Sequence, residues 1–181
     1  GEALYLAELQ SALKESLKLG DLGVKLRQSS SHGYLALESR DFLLDSRLVK
    51  AAKKSISQNG YLHQEVLSYL ANSIGLEGKD AEIPYSLVTA VSPWLLPEGE
   101  ISEYPLGVKD KGLELWRPGY IFLNTWAAED LGARDGDVIK LKYFAMGAGH
   151  EIIERSVEME LAGVLGLSGM AHDPGWTPEY P

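Results

Sequence analysis

The stretch YIFLNTWAAEDLGARDGDVIKL, residues 120–141, decides the fold. Four of its first five residues are aromatic, β-branched or otherwise apolar, which predicts a strand over 120–124. Asn124 or Thr125 can cap a short helix, and Gly132 ends it because glycine takes the left-handed conformation cheaply. Arg134–Asp137 then predicts a tight turn into another strand, since Asp-Gly accepts the positive φ that such turns need.

Two helices and a hairpin are predicted on the N-terminal side. Leu6, Leu9, Leu13 and Leu17, at three- and four-residue spacing, predict an amphipathic helix over 4–19 that ends at Gly20. Strands at 23–27 and 34–38 enclose a Ser- and Gly-containing loop, which favours a hairpin. A second helix is predicted over 46–58. Its apolar face would consist of Val49, Ala52 and Ile56.

The remainder of the chain predicts strands. The apolar runs at 65–74 and 83–91 are typical of strands covered on both faces. Residues 92–119 contain four prolines and four glycines and form a long connection. In 157–165, apolar residues alternate with glutamates, which predicts a half-exposed strand. Gly147–Gly149 lies between two strands and favours a hairpin turn.

This order of elements predicts an α+β fold with one or more mixed sheets and an N-terminal amphipathic helix. We expect a single domain, 1–181, that could form two lobes, 1–91 and 120–181, joined by 92–119. Because the chain begins at Gly1 and ends in a turn-like stretch, we expect it to be a fragment of a longer protein.

Composition excludes several classes of partner and site. The sequence has 26 acidic and 17 basic residues, a net charge of −9, which should repel the phosphate backbones of nucleic acids. Lys50, Lys53 and Lys54 are typical of the solvated face of a helix. The absence of cysteine excludes disulfides, thiolate zinc sites and cysteine nucleophiles.

The sequence predicts no catalytic, cofactor-binding or metal-binding residue. His32, His63, His150 and His172 are too far apart in sequence for a zinc-type pair within one element. No phosphate-binding glycine loop or nucleophile elbow occurs. His172-Asp173 remains a weak candidate site, because an adjacent histidine and aspartate in a loop can both reach a metal or a substrate.

A family resemblance rests on several short motifs. They are Ile83-Pro84-Tyr85-Ser86, Leu123-Asn124, Ala128-Glu129-Asp130-Leu131-Gly132, and Gly136-Asp137-Val138-Ile139-Lys140-Leu141. With the opening helix and the Pro178–Pro181 ending, they resemble the extracytoplasmic core domain of MacB/FtsX-type ABC-transporter permeases. In that family a strand ending in L-N, a helix reading A-x-x-L-G and the run G-D-x-[IV]-x-L follow one another.

The resemblance implies a domain without an active site or cofactor, placed outside the membrane between the transmembrane helices of a permease. The fragment itself would be soluble. Its partners would be those helices and an ATPase subunit or domain, and on the outer side a periplasmic protein or lipoprotein. The domain would couple cytoplasmic ATP hydrolysis to substrate or partner handling outside the membrane.

Two other functions remain open from the residues alone. The helix stop followed by a Gly-Asp turn also occurs in double-psi β domains, some of which act as enzymes or bind cofactors. In that case His172-Asp173 would be the site to inspect. Alternatively, tryptophans in loops could make the chain a sugar- or small-ligand-binding module.

Overall fold

A computed structural model describes residues 2–29, 33–41, 43–92, 118–166 and 173–177. It confirms the predicted α+β class. The chain divides into two compact units, Gly1–Gln58 and Asn59–Pro181. This division differs from the predicted lobes, because the strands within 66–91 belong to the same sheet as those within 120–165.

The described part of the first unit has two α-helices, one short 3-10 helix and a hairpin. These are α1 (Glu2–Ser16), the 3-10 helix (Leu19–Leu22), β1 (Val24–Ser29), β2 (Tyr34–Ser39) and α2 (Ser46–Gln58). β1 and β2 pair antiparallel with Ser29 opposite Tyr34, which agrees with the predicted hairpin. Asp45 caps α2, since its carboxylate accepts the backbone N–H of Arg47 at 2.8 Å.

The predicted end of the first helix is wrong. α1 ends at Ser16, and the left-handed residue is Gly23, at φ +67°, rather than Gly20. The physical reason is the side chain of Asp21, which accepts the backbone N–H of Lys18 at 2.8 Å and starts a new 3-10 turn. The predicted apolar face of α1 is not packed, because Leu9 and Leu13 are exposed.

In its described residues, the second unit has a five-stranded sheet, one α-helix and a short 3-10 helix. Its elements are β3 (Val66–Leu76), β4 (Glu82–Val91), β5 (Tyr120–Asn124), α3 (Thr125–Leu131), β6 (Val138–Met146), β7 (Ile152–Leu165) and the 3-10 helix (Pro174–Trp176). The strand order is β4-β3-β6-β7-β5, antiparallel except for the parallel pair β5 and β7. β7 begins five residues before the predicted strand.

The core of this unit lies where α3 packs against the sheet. Its largest members are Ile74, Leu76, Ile83, Ile121, Leu123, Leu131, Ile139, Leu141 and Leu161. Ile139 on β6 is fully buried. α3 contacts β4, β5 and β7. Burying a side chain of this size stabilises the fold by roughly 1.5–3 kcal/mol relative to exposing it, so this cluster is the main source of stability in the unit.

The stretch 120–141 folds as predicted. The side chain of Asn124 accepts the N–H of Ala127 at 2.7 Å, and Gly132 ends α3 in the left-handed conformation at φ +61°. The carboxylate of Asp137 accepts the N–H of Arg134 at 2.8 Å and closes the turn. Two backbone hydrogen bonds then hold the turn to β7: Gly136 N to Leu161 O and Leu161 N to Asp137 O, both at 2.8 Å.

Replacing Asn124 with alanine should destabilise the second unit by about 1 kcal/mol, because the N–H of Ala127 loses its acceptor at the start of α3. Urea denaturation followed by far-UV circular dichroism measures the change. Asn124→Ser, which keeps a capping oxygen, should have an unfolding free energy close to that of the unsubstituted chain. An equal loss of unfolding free energy in both variants would contradict the capping role.

Candidate functional site

The residues of the resemblance motifs fall into a buried set and an exposed set. Ile83, Leu123 and Leu131 belong to the core cluster. Asn124 and Gly132 cap the two ends of α3, and Gly136 and Asp137 form the turn on β7. In the described structure these residues therefore make structural contacts.

Pro84 and Tyr85 form the exposed part of the motif set. They lie on β4, which is an edge strand of the sheet. Tyr85 has a φ of +50° and projects an exposed side chain, while Pro84 carries no backbone N–H. The pair therefore interrupts the regular series of backbone N–H donors along the first half of β4.

The structure covers half of the weak candidate pair His172-Asp173. His172 lies outside the described residues. Asp173 is buried, and its carboxylate accepts the N–H of Gly175 at 2.8 Å, so it caps the C-terminal 3-10 helix. This hydrogen bond gives Asp173 a structural role that the adjacency of the two residues did not indicate.

Two of the other predicted histidines, His63 and His150, lie within the described residues. His63 precedes β3 and is half-buried, whereas His150 is exposed in the β6–β7 hairpin with φ +64°. His32 lies outside the described residues. Within the described ranges, no three His, Asp or Glu side chains are close enough to hold a metal ion. None of the helices in those ranges is long and apolar enough to cross a membrane.

A polar network joins three strands on one face of the sheet. Lys142 on β6 lies with its Nζ 2.7 Å from Oε1 of Glu82 on β4. The hydroxyl of Ser73, on β3 between them, donates to the same oxygen of Glu82. The hydrogen bond from Lys142 is the main cause that lowers the pKa of Glu82, and the carboxylate in turn raises the pKa of Lys142.

These shifts decide what the network can do chemically. A serine beside a lysine suggests a nucleophile and its base, but a lysine of raised pKa stays protonated and cannot take a proton from Ser73. A carboxylate of lowered pKa is also a weak base. Ser73 itself is only 6% exposed. The network therefore joins β4, β3 and β6 instead of activating a nucleophile.

The sheet separates into two ribbons at one end. β3 pairs with β6 only over Ser73–Leu76, whereas β3 and β4 stay paired as far as Val66 and Val91. β6 and β7 likewise continue as a pair to Met146 and Ile152. Because β3 and β6 are antiparallel, both extensions lie at the same end. We call residues 66–72, 85–91, 143–146 and 152–155 the split end.

Side chains, not a backbone ladder, connect the two ribbons of the split end. The ring of Tyr69 meets that of Tyr143 edge to face, with centroids 6.3 Å apart. The Tyr69 hydroxyl donates to the carbonyl of Phe144. Asn72 Nδ2 donates to Glu154 Oε1 at 2.7 Å. The ribbons are thus tied at a few points only.

The split end exposes large apolar side chains, which corrects the prediction that 65–74 and 83–91 are covered on both faces. The exposed residues are Val66, Leu67, Tyr69, Leu70, Tyr85, Leu87, Phe144, Met146 and Ile152. Leu70 lies opposite Leu87, and Met146 lies opposite Ile152. Met146 and Ile152 are 71% and 74% exposed. Exposed apolar side chains that are concentrated at one end of a sheet mark candidate interaction surfaces.

Sequence reasoning missed this surface because an apolar run does not reveal what lies against it. Ser68 and Thr89 carried a signal: they are polar residues within the runs, and their hydroxyls meet across β3 and β4 at 3.0 Å. The hydroxyl of Ser68 also bonds the carbonyl of Trp176, so part of that face is occupied by the C-terminal 3-10 helix.

Comparison with known proteins assigns no family. No protein-family model matches the chain, and no curated protein matches it with significance.

Replacing Glu82 with glutamine should make the stability of the second unit less dependent on pH in the acidic range. The folded-state pKa of Glu82 lies below its ordinary value of 4.5, so its contribution is present above that pH and is lost as the pH falls through the folded pKa. The difference in unfolding free energy between the two chains should be seen at about pH 7 and shrink below about pH 4. Urea titrations at both pH values measure it.

Glu77→Gln, which removes an equal charge from the turn after β3, is the matched control. The effect should be modest and should weaken with salt, because both partners of the ion pair are partly exposed. If Glu82→Gln changes the unfolding free energy by the same amount at both pH values, that result would argue against the ion pair as the cause.

Proposed function

We propose that the chain is an extracytoplasmic domain of a MacB/FtsX-type ABC-transporter permease, coupling ATP hydrolysis in the cytoplasm to the handling of a partner outside the membrane. The observation that carries this proposal is the split end, where two β-ribbons project exposed apolar side chains. The buried motif residues support it, because they belong to the packed core and to the turn that is hydrogen-bonded to β7.

The split end suits a coupling role for a physical reason. Among the described residues, the two ribbons share no backbone ladder beyond Ser73 and Lys142, so a change in their spacing would break the side-chain contacts of Tyr69 and Asn72 but no ladder hydrogen bond. The rest of the sheet is joined by backbone ladders and a packed core. A partner that prefers one spacing shifts the population toward it by its differential affinity.

The exposed side chains define the partner's chemistry. Leu70 with Leu87, and Met146 with Ile152, offer apolar anchors, and Met adapts to irregular surfaces. A protein or lipoprotein with complementary apolar side chains fits such a surface. The energy source would be the ATPase subunit or domain, transmitted through the transmembrane helices of the permease.

The proposal predicts the organisation of the whole gene. Two membrane-spanning segments should flank the region that encodes this chain, and an ATPase should be encoded with it or fused to it. Reading the complete open reading frame checks this directly. A full-length protein without a membrane helix would eliminate the permease function.

Changing Met146 and Ile152 to serine in the full-length permease should uncouple ATP hydrolysis from its partner. Basal ATPase activity and the thermal midpoint should stay unchanged, because both side chains are exposed. Stimulation of the ATPase by the permease's partner should fall severalfold, since hot-spot side chains each contribute about 1–2 kcal/mol or more.

The matched control is Trp126→Ser with Val164→Ser, two exposed apolar residues of the same unit outside the split end. Stimulation should survive in this variant. If both double variants lose stimulation equally, or neither does, the split end is not the coupling surface.

A further inference from the structure

β5 covers only part of one side of β7, because β7 has 14 residues and β5 has five. The two strands pair from Glu160 to Leu165 of β7. On its other side, β7 is paired with β6 as far as Ile152. Among the described residues, the side of β7 that faces away from β6 therefore has no strand beside it over 152–159. We call this side of residues 152–159 the open edge.

The hydrogen bonds next to the open edge show which backbone groups face it. Glu160 N donates to Gly119 O on the side of β5, whereas Leu161 N donates to Asp137 O on the side of β6, both at 2.8 Å. Successive residues of a strand direct their backbone groups to alternate sides. The even-numbered residues of β7 therefore direct their N–H and C=O groups toward the open edge.

The open edge presents a row of backbone donors and acceptors. They belong to Glu154, Ser156 and Glu158, all three of which are exposed. Arg155 and Val157, between them, direct their backbone groups into the ladder with β6. A row of outward groups of this kind is a template for one more strand. Such a strand can bind here without any change in the ladder between β6 and β7.

The charges of β7 oppose pairing with a second copy of the chain. Opposite residues of an antiparallel pair share a face, and like charges placed opposite each other are destabilising. The middle of the open edge lies between Arg155 and Ser156, so two copies would pair centred on one or the other. Centred on Ser156, Glu154 faces Glu158. Centred on Arg155, the two arginines face each other.

The same side chains define the strand that fits the open edge. Glu154 and Glu158 share one face of β7, because residues an even number apart point to the same side. The lysines of that face, Lys140 and Lys142, lie opposite β7 on β6, one strand farther from the open edge. On the other face, Val157 is exposed and apolar. A strand of alternating basic and apolar residues would place its cations beside the glutamates and its apolar side chains beside Val157.

We propose that the open edge binds an extended segment of a partner protein in which basic and apolar residues alternate. The segment adds to the sheet in line with β5, with its backbone bonded to Glu154, Ser156 and Glu158. In this mode of recognition the backbone hydrogen bonds contribute affinity and the alternate side chains contribute specificity. The inference comes from the register and charges of β7 and does not rest on the proposed function.

The test is calorimetric titration of the 181-residue chain with synthetic peptides. The basic probe is Val-Lys-Val-Lys-Val-Lys-Val, and the acidic control is Val-Glu-Val-Glu-Val-Glu-Val. We expect the basic peptide to bind with an affinity that falls as salt is added, because the charges that it meets are exposed to solvent. The acidic peptide should not bind.

Hydrogen exchange measured by NMR locates the bound peptide. In the free chain, the amides of Glu154, Ser156 and Glu158 should exchange quickly, whereas those of Arg155 and Val157 should be protected by the ladder with β6. The basic peptide should slow exchange severalfold at the first three amides and leave the other two unchanged. Charge attraction without backbone pairing would not produce this alternation.

Two variants separate the contributions of backbone and charge. Ser156→Pro removes the central outward N–H, which is not part of the ladder with β6, so the thermal midpoint should stay close to that of the unsubstituted chain while most of the binding is lost. Glu154→Gln with Glu158→Gln should weaken binding severalfold and reduce its salt dependence. Glu77→Gln with Asp80→Asn, which removes the same charge from the turn between β3 and β4, should leave binding unchanged.

Several outcomes overturn the proposal. They are equal binding of the acidic peptide, equal losses from the two carboxylate pairs, and protection of the outward amides in the free chain, which would mean that the edge is already paired. Self-association that Ser156→Pro abolishes would instead make a second copy the occupant. If Ser156→Pro does not fold, the glutamine pair and the exchange pattern still decide the question. Each of these results leaves the gene-organisation test of the permease proposal unaffected.

Discussion

The second unit depends on two backbone hydrogen bonds between the Gly136-Asp137 turn and Leu161 of β7. They hold the start of β6 against the middle of β7, at the point where β5 pairs with β7 on its other side. α3 begins after its N-cap, Asn124, and ends at its C-cap, Gly132. It packs on the core cluster that contains Ile139. Without this attachment, the turn between α3 and β6 would not be held in place against β7.

This attachment lies at the opposite end of β6 and β7 from the split end. Near Leu161, β7 pairs with neighbours on both sides, and its side chains reach the core. Farther along β6 and β7, pairing with β3 and β5 has ended, and only the hairpin ladder remains. The same strands are thus core elements at one end and a two-stranded ribbon at the other.

Local chemistry could be read from the sequence, whereas long-range contacts could not. Asn124, Gly132 and Asp137 act within a few residues of their own position, so their capping and turn roles followed from residue type. The predicted helix end at Gly20 was wrong because the side chain of Asp21 accepts the backbone N–H of Lys18. The parallel pairing of β5 with β7 joins residues about 40 apart, and no local pattern specifies it.

The candidate surface was harder to predict for the same reason. Ser73, Glu82 and Lys142 come from three strands and carry no linear motif, so only the register brings them together. Leu67 and Leu70 have the composition of core residues, and their exposure follows from where β6 stops pairing with β3. Composition predicts which side chains favour burial, but it does not predict where a neighbouring strand ends.

Pro84 and Tyr85 have a consequence for how the molecules behave when they are crowded together. An edge strand is a template on which a second chain can add, and proteins limit this growth with proline or irregular backbone at the edge. On β4 the missing N–H of Pro84 and the left-handed backbone of Tyr85 break the template in its first half. Sheet-to-sheet polymerisation along that part of the edge is therefore disfavoured, even though the strand is rich in the residues that form fibrils most readily.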